Sequence, residues 1–422
     1  MHVKFLLSTA LCAGVLSAAA PALAADCTTT VGMVMELTGP AGEYGQAGAK
    51  SVDMAFRDIN EAGGVNGCQL ASDTRDSQSQ GNVAVDQATQ LVNVAKVPVI
   101  IGGIISSVSI PILTSVTAPA KVVQISPASS SPTLTSLGRE GKTGGIFFRT
   151  ITSDALQGTA AAKYALDQGF KKIAVVHVNN DFGVNMFAEF RRAYESLGGT
   201  IVSTTPYNEN QASYQSEATA AMEGEPDGLY LISTPVDGAT IARAWISGGG
   251  TPKFLLNDGM NSPDFIKSVG AQYLNEAYGT SSGTSPTKST EYFTKNYEAF
   301  SGGIAASNPA ADRSYDAGAI LGLAIAAAGS EEPLKIRDAI AKVVDPKGEV
   351  IYAGKEEFAK GLKLLSEGKP IRYEGVIGPV AFDQYGDITG PFRLWKITDG
   401  EVATTGEIST DEVNALKTKI GG

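Results

Sequence analysis

Short apolar runs recur along the chain, each followed by a turn rich in glycine or serine and then by apolar residues at helical spacing. Val31-Gly-Met-Val-Met35 predicts a buried strand, Gly39, Pro40 and Gly42 a sharp turn that holds Tyr44, and Val52, Phe56 and Ile59 a helix that stops at Gly63-Gly64. Ala84, Ala88, Leu91 and Ala95 mark a second helix, Val97–Gly102 a strand, and Lys121–Ile125 another. The rhythm restarts after Arg149: helix from Ser153, strand at Lys172–His177, helix to Leu197, strands at Thr200–Ser203, Gly228–Ser233 and Lys253–Leu256. Alternation of this kind predicts parallel sheets covered by helices, arranged as two lobes of one α/β class. Gly279–Pro286 reads as an irregular crossing, followed by helical stretches at 289–300 and 315–328. A polar, lysine-rich region at 331–369 reads as an insertion, and Val380–Asp387 running into Phe392–Ile397 reads as a closing hairpin.

The first 24 residues stand apart. Lys4 precedes an apolar run from Phe5 to Ala20, and Ala22-Leu-Ala24 supplies the small-residue pattern of a secretory signal cut after Ala24. No later run reaches the roughly 20 apolar residues of a membrane span, so an exported, periplasmic protein is expected. Beyond the signal two cysteines remain, Cys27 before the first predicted strand and Cys68 before the second. If those strands are parallel neighbours, their starts lie side by side, and a Cys27–Cys68 disulfide fits the oxidising compartment; two free thiols are the alternative. The net charge of −11 argues against a nucleic-acid partner.

Catalytic chemistry finds little support. Past the signal the only histidine is His177, at a strand end, where packing is the commoner role. Gly279-Thr-Ser-Ser-Gly283 spells a nucleophile motif around Ser281, but Pro286 follows and no histidine lies downstream to act as base. Gly141-Lys-Thr143 resembles the end of a phosphate loop, yet the required earlier glycine is Ser136. No catalytic residue, metal site or cofactor is expected.

Binding chemistry is better supported. Predicted strand ends lead into the Tyr44 turn, into Gly102-Gly-Ile-Ile-Ser-Ser107 and into Ser126-Pro-Ala-Ser-Ser-Ser131. In open α/β sheets ligands sit at the carboxyl ends of strands. Hydroxyls and first-turn N–H groups there suit a carboxylate, although any one serine is more often an ordinary helix cap.

Thr38-Gly-Pro40 with Tyr44-Gly45, Asp58-Ile-Asn-Glu-Ala-Gly-Gly64, Ser106-Ser107, Ser126-Pro-Ala-Ser-Ser130, Asp181-Phe-Gly183, Asn257-Asp-Gly259, Tyr315-Asp-Ala317 and Gly378-Pro-Val-Ala-Phe-Asp383 occur in order between residues 28 and 397. This ordered set resembles the periplasmic substrate-binding proteins of ABC importers, in the branch that binds leucine, isoleucine and valine. The resemblance implies a type I clamshell of two Rossmann-like lobes joined by three crossovers: residues 25–149 with 282–376, and 150–281 with 377–422. It implies an amino-acid ligand, branched-chain or otherwise hydrophobic, held in the interlobe cleft by a monomer and passed to a separate permease and ATPase in the membrane. Position by position, Ser106 and Ser130 would bind the ligand carboxylate, the Ala128 carbonyl and Asp258 its ammonium, and Tyr44 and Phe182 would wall the pocket. Ser107, Ser129 and Thr234, on the same strand ends, complete the candidate set. Phe182 replaces the family's tyrosine, and Ser233–Asp237 lacks the aromatic of the leucine-type proteins, leaving room for a larger side chain. A carboxylic acid or amide without an ammonium is the alternative ligand, a sensor the alternative role, and an exported enzyme the least supported reading.

Overall fold

The computed structural model describes residues 27–420, so the predicted signal segment lies outside the described residues. Five strands, β1 (Thr28–Met35), β2 (Gln69–Asp76), β3 (Val99–Gly102), β4 (Val123–Ser126) and β5 (Phe147–Arg149), form one all-parallel sheet in the order β2-β1-β3-β4-β5. The second sheet contains β6 (Lys172–Val178), β7 (Thr200–Tyr207), β8 (Gly228–Ile232), β9 (Lys253–Leu256) and β10 (Glu276–Ser282) as parallel neighbours. Between β10 and the second sheet's last two strands, a small parallel pair forms from β11 (Glu349–Ile351) and β12 (Ile371–Tyr373). The second sheet is then extended by β13 (Phe392–Thr398) and β14 (Glu401–Ile408), both antiparallel, to give β14-β13-β10-β9-β8-β6-β7.

Two expectations are corrected here. The closing hairpin is β13–β14, turning at Asp399-Gly400, where both residues have positive φ. Val380–Asp387 forms no strand and runs between the sheets, because Asp387 is drawn to a buried arginine described below. The region 331–369 is no loose insertion: helices Pro333–Val343 and Lys355–Ser366 bury Ile336, Ile340, Val343, Phe358 and Leu365 in the core of the first sheet. Ile336, Ala339, Ile340 and Val343 fall on one helical face, a periodicity masked by the surrounding lysines and glutamates.

The chain passes between the sheets three times, after β5, after β10 and after β12. Helix Ala311–Ala328 anchors the last passage. Asp316, wholly buried, accepts hydrogen bonds from the Tyr373 hydroxyl at 2.8 Å and the N–H groups of Val376 and Ile377 at 2.8 and 2.9 Å. A Cβ at Gly375 would come within 2.4 Å of that carboxylate, so this turn requires glycine.

At the opposite end of the first sheet, Thr28 pairs with Gln69 and sets Cys27 beside Cys68, which are joined as a disulfide with Cα atoms 4.8 Å apart. The bridge closes a loop of separation 41, a constraint on the unfolded chain of about 4 kcal/mol in the loop-entropy model. In a chain starting at residue 25, neither cysteine should take up a thiol reagent before reduction, and Cys68→Ser should lower the urea midpoint to that of the reduced parent. Ready labelling of the oxidised native protein, or equal midpoints with and without reductant, would contradict the bridge.

Candidate functional site

The carboxyl ends of β1, β3 and β4 in one sheet face those of β6, β8, β9 and β10 in the other, across a cavity of about 720 Å³. The wall of the first sheet is set by two buried ionisable groups behind it. Glu36 follows β1 and receives the N–H groups of Ile104 at 2.9 Å and Ile105 at 3.1 Å, which aligns the loop that delivers Ser106. Burial pushes the Glu36 carboxyl up to about 7, against those backbone hydrogen bonds. Arg149, at the end of β5 and fully buried, donates to the carbonyls of Ser129 at 3.0 Å and Ser131 at 3.1 Å and to Asp387 at 2.6 Å. It clamps the serine loop after β4 from below.

The two serines on the cavity wall differ in what they offer. Ser106 Oγ accepts the Ser131 N–H at 3.1 Å, so its own proton is free to donate into the cavity. Ser130 Oγ donates to Asp154 Oδ2 at 2.9 Å, which leaves its lone pairs for the cavity. Asp154 is wholly buried and its Oδ1 has no partner; burial, with the charge of Asp258 nearby, holds its carboxyl well above the usual range. Ser106 is therefore suited to a carboxylate, and Ser130 beside the Ala128 carbonyl to a cation.

On the facing wall, the Asn257 amide oxygen accepts the Ser233 N–H at 2.9 Å, and a one-turn helix, Asp258–Met260, follows β9. Asp258 makes no ion pair among the described residues; Asn257 Nδ2 donates to its Oδ1 at 3.4 Å. Burial raises its carboxyl, and the positive charge of Arg313 works the other way. Phe182 is held by the cap of its helix, where the Asn180 side chain accepts the N–H groups of Phe182 and Gly183.

The two walls touch. Tyr44 lies in the first turn of helix α1 (Gly42–Glu61) rather than on the preceding turn, and its ring reaches across to Gly259, where a Cβ would lie 1.9 Å from the Tyr44 hydroxyl. Glu43 accepts from the Ser262 hydroxyl at 2.5 Å and from the Asn308 amide at 3.1 Å. The cleft is closed in this structure.

Of the candidate residues, Tyr44, Ser106, Ala128, Ser130, Phe182, Thr234 and Asp258 line the cavity together. Ser107 and Ser129 lie outside its lining. Ser129 is wholly buried and donates to the Ile104 carbonyl at 3.1 Å and to Ser109, bracing the loop from behind. Ser281 sits within β10 and accepts the Trp395 indole N–H at 2.9 Å. His177 stacks on Phe187 with ring centres 4.9 Å apart, and burial lowers its pKa. Sequence reasoning missed Ser233, Asn257, Arg313 and Arg393 on the wall. The first two follow strand ends and obey the rule that identified the serines; the arginines carry no local pattern.

A sequence model of the family described as periplasmic binding protein matches residues 28–401. The chain belongs to that family. Among similar proteins, the Leu/Ile/Val-binding protein homolog 3 of Brucella melitensis biotype 1 is 25% identical over 405 residues, 95% of this chain and 99% of that one. The leucine binding protein LivK from Thermotoga maritima superposes with a TM-score of 0.76 at 22% identity, covering 91% of this chain and 99% of that one. A solute binding protein from R. palustris in complex with 4-hydroxybenzoate gives 0.73 at 18%, with 90% and 96% covered. At these identities the superpositions establish the type I binding-protein fold.

Two measurements check the walls. Glu36 holds its proton in the native state between its ordinary 4.5 and about 7, where the unfolded chain has released it. Its contribution is complete below pH 4.5 and lost as pH rises through about 7, a difference of about 3 kcal/mol. Glu36→Gln should flatten that part of the stability profile from urea unfolding; an unchanged slope would remove Glu36 as its source. Gly259→Ala should weaken ligand binding by about tenfold or more by wedging the cleft against Tyr44, and Tyr44→Phe should restore much of the loss by removing the obstructing oxygen. Additive losses in the double variant would mean that the pair does not meet on closure.

Proposed function

We propose that this chain is a periplasmic binding protein that captures a free α-amino acid between its lobes and delivers it, as a monomer, to a membrane permease driven by a separate ATPase. The observation that carries the reading is Asp258. A half-buried carboxylate on a closed cavity wall, with no bonded cation, is destabilising unless a ligand brings one. The Ser130 lone pairs and the Ala128 carbonyl belong to the same cavity and add acceptors, while Ser106 offers a donor to an anion. One donor group and several acceptors converging in one cleft match the two ends of an amino-acid zwitterion. The Leu/Ile/Val-binding relative and LivK carry names consistent with such a ligand.

An ammonium-free acid is the second reading, favoured by the likeness to the 4-hydroxybenzoate-bound protein. It leaves Asp258 with no ligand cation bonded to it, only the charge of Arg313 nearby. Thermal unfolding of protein freed of ligand by unfolding and refolding separates the two, using each amino acid beside its deaminated acid. A ligand at a thousand times its Kd adds about 4 kcal/mol and moves the midpoint visibly. Stabilisation by amino acids, lost in Asp258→Asn, is expected. Stabilisation by the deaminated acids that survives Asp258→Asn would overturn the amino-acid reading.

A further inference from the structure

The wall of the cavity nearest the last crossing carries two guanidinium groups. Arg313, on helix Ala311–Ala328, is committed: Nη1 binds both oxygens of Asp312 at 2.8 Å, and Nη2 donates to the Ser282 carbonyl at 2.6 Å. Its Nε is buried and has no partner among the described residues. Arg393, on β13 opposite Ser281, is half-buried on the same cavity and makes no hydrogen bond or ion pair among the described residues. Along β13 it shares a face with Trp395 and Ile397, both packed in the core. Burial lowers its pKa and the neighbouring charge of Arg313 lowers it further, with only Asp312 acting in the opposite sense. Asp312 is already bonded to Arg313, whose charge also acts on Asp258, so Arg393 is left without a carboxylate bonded to it among the described residues. On a surface an unpaired arginine needs no explanation; on the wall of a closed cavity it is a charge awaiting a partner.

We infer that Arg393, backed by Arg313, forms a second anion subsite in the cleft, and that the ligand is an amino acid whose side chain ends in a carboxylate. The inference rests on the amino-acid reading and refines it: Ser106 and Asp258 hold the α-carboxylate and α-ammonium, and the guanidinium fork takes the distal carboxylate, whose two oxygens fit it. It departs from the hydrophobic side chain that the resemblance implies.

Isothermal titration of ligand-free protein with leucine, aspartate, glutamate, 2-aminoadipate and the deaminated acid glutarate tests it, alongside Arg393→Gln. One of the three acidic amino acids should bind tighter than leucine. Arg393→Gln should weaken it by about 10- to 100-fold, leave leucine within about threefold, and leave the urea midpoint unchanged. Tighter binding of leucine, with Arg393→Gln altering no affinity, would overturn the subsite and leave the amino-acid reading intact. Tight binding of glutarate that depends on Arg393 would uphold the subsite and sink the amino-acid reading. Binding of none of the five would count against both.

Discussion

The buried guanidinium of Arg149 ties together parts of the chain that are far apart in sequence. It stands at the end of β5, where the chain first leaves the first sheet, and pairs with Asp387, in the passage by which the chain finally reaches the second. Its other donors hold the carbonyls of Ser129 and Ser131 and the Thr135 hydroxyl. Removing either partner of such a pair leaves an uncompensated buried charge, a loss of about 3 to 5 kcal/mol. That stabilisation is spent on geometry: one side chain fixes a crossing and the serine loop, so the binding wall and the hinge region share a support. Glu36 does the same for the neighbouring loop by receiving the Ile104 and Ile105 N–H groups. The hydroxyls that face the cavity stand at strand-end loops, and these two buried groups hold the loop backbones in place.

Much of this was legible in the residues. Apolar runs and helical spacing located the parallel strands and their helices; the strand-end rule nominated Tyr44, Ser106 and Ser130, the family resemblance led to Asp258, and these line one cavity with Thr234. Cys27 and Cys68 were readable because parallel neighbours start side by side. The failures share a cause. Val380–Asp387 reads as one arm of a hairpin, but Arg149 claims Asp387 and Phe382 packs edge-on against Phe148, both non-local contacts that a window of sequence does not contain. Arg149, Arg313 and Arg393 were invisible for the same reason, since an arginine in a strand or helix carries no sign of whether its charge will be buried.

The serine loops show how roles divide within one motif. Ser126-Pro-Ala-Ser-Ser-Ser131 reads as a run of equivalent hydroxyls, yet Ser126 and Ser129 turn back toward the Gly103 and Ile104 carbonyls, Ser131 caps the next helix, and Ser130 alone of the hydroxyls lines the cavity. The distinction comes from which backbone carbonyls happen to be unpaired behind the loop. Composition could nominate the cluster; only the packing around it could assign its members.

Closure of the cleft depends on few direct contacts. Glu43 with Ser262, Asn185 with Ser131 and Thr133, and the Tyr44 ring on Gly259 bridge the walls. The hydrogen bonds exchange readily for water when the lobes part, so each contributes about 1 kcal/mol net. Glu43 opposes closure in part, since burial and nearby Asp264 push its carboxyl up to about 7 even with the Ser262 hydroxyl counteracting them. A latch this weak leaves closure to the ligand, which shifts the balance by no more than its own preference for the closed cavity. Charges without a bonded partner on the wall of the second sheet, Asp258 after β9 and Arg393 on β13, make that preference large. Without a ligand, closing the cleft desolvates both for nothing, whereas a ligand that brings the opposite charge to each converts the same desolvation into binding. The charges that make the empty closed form unfavourable are thus the ones that make closure selective.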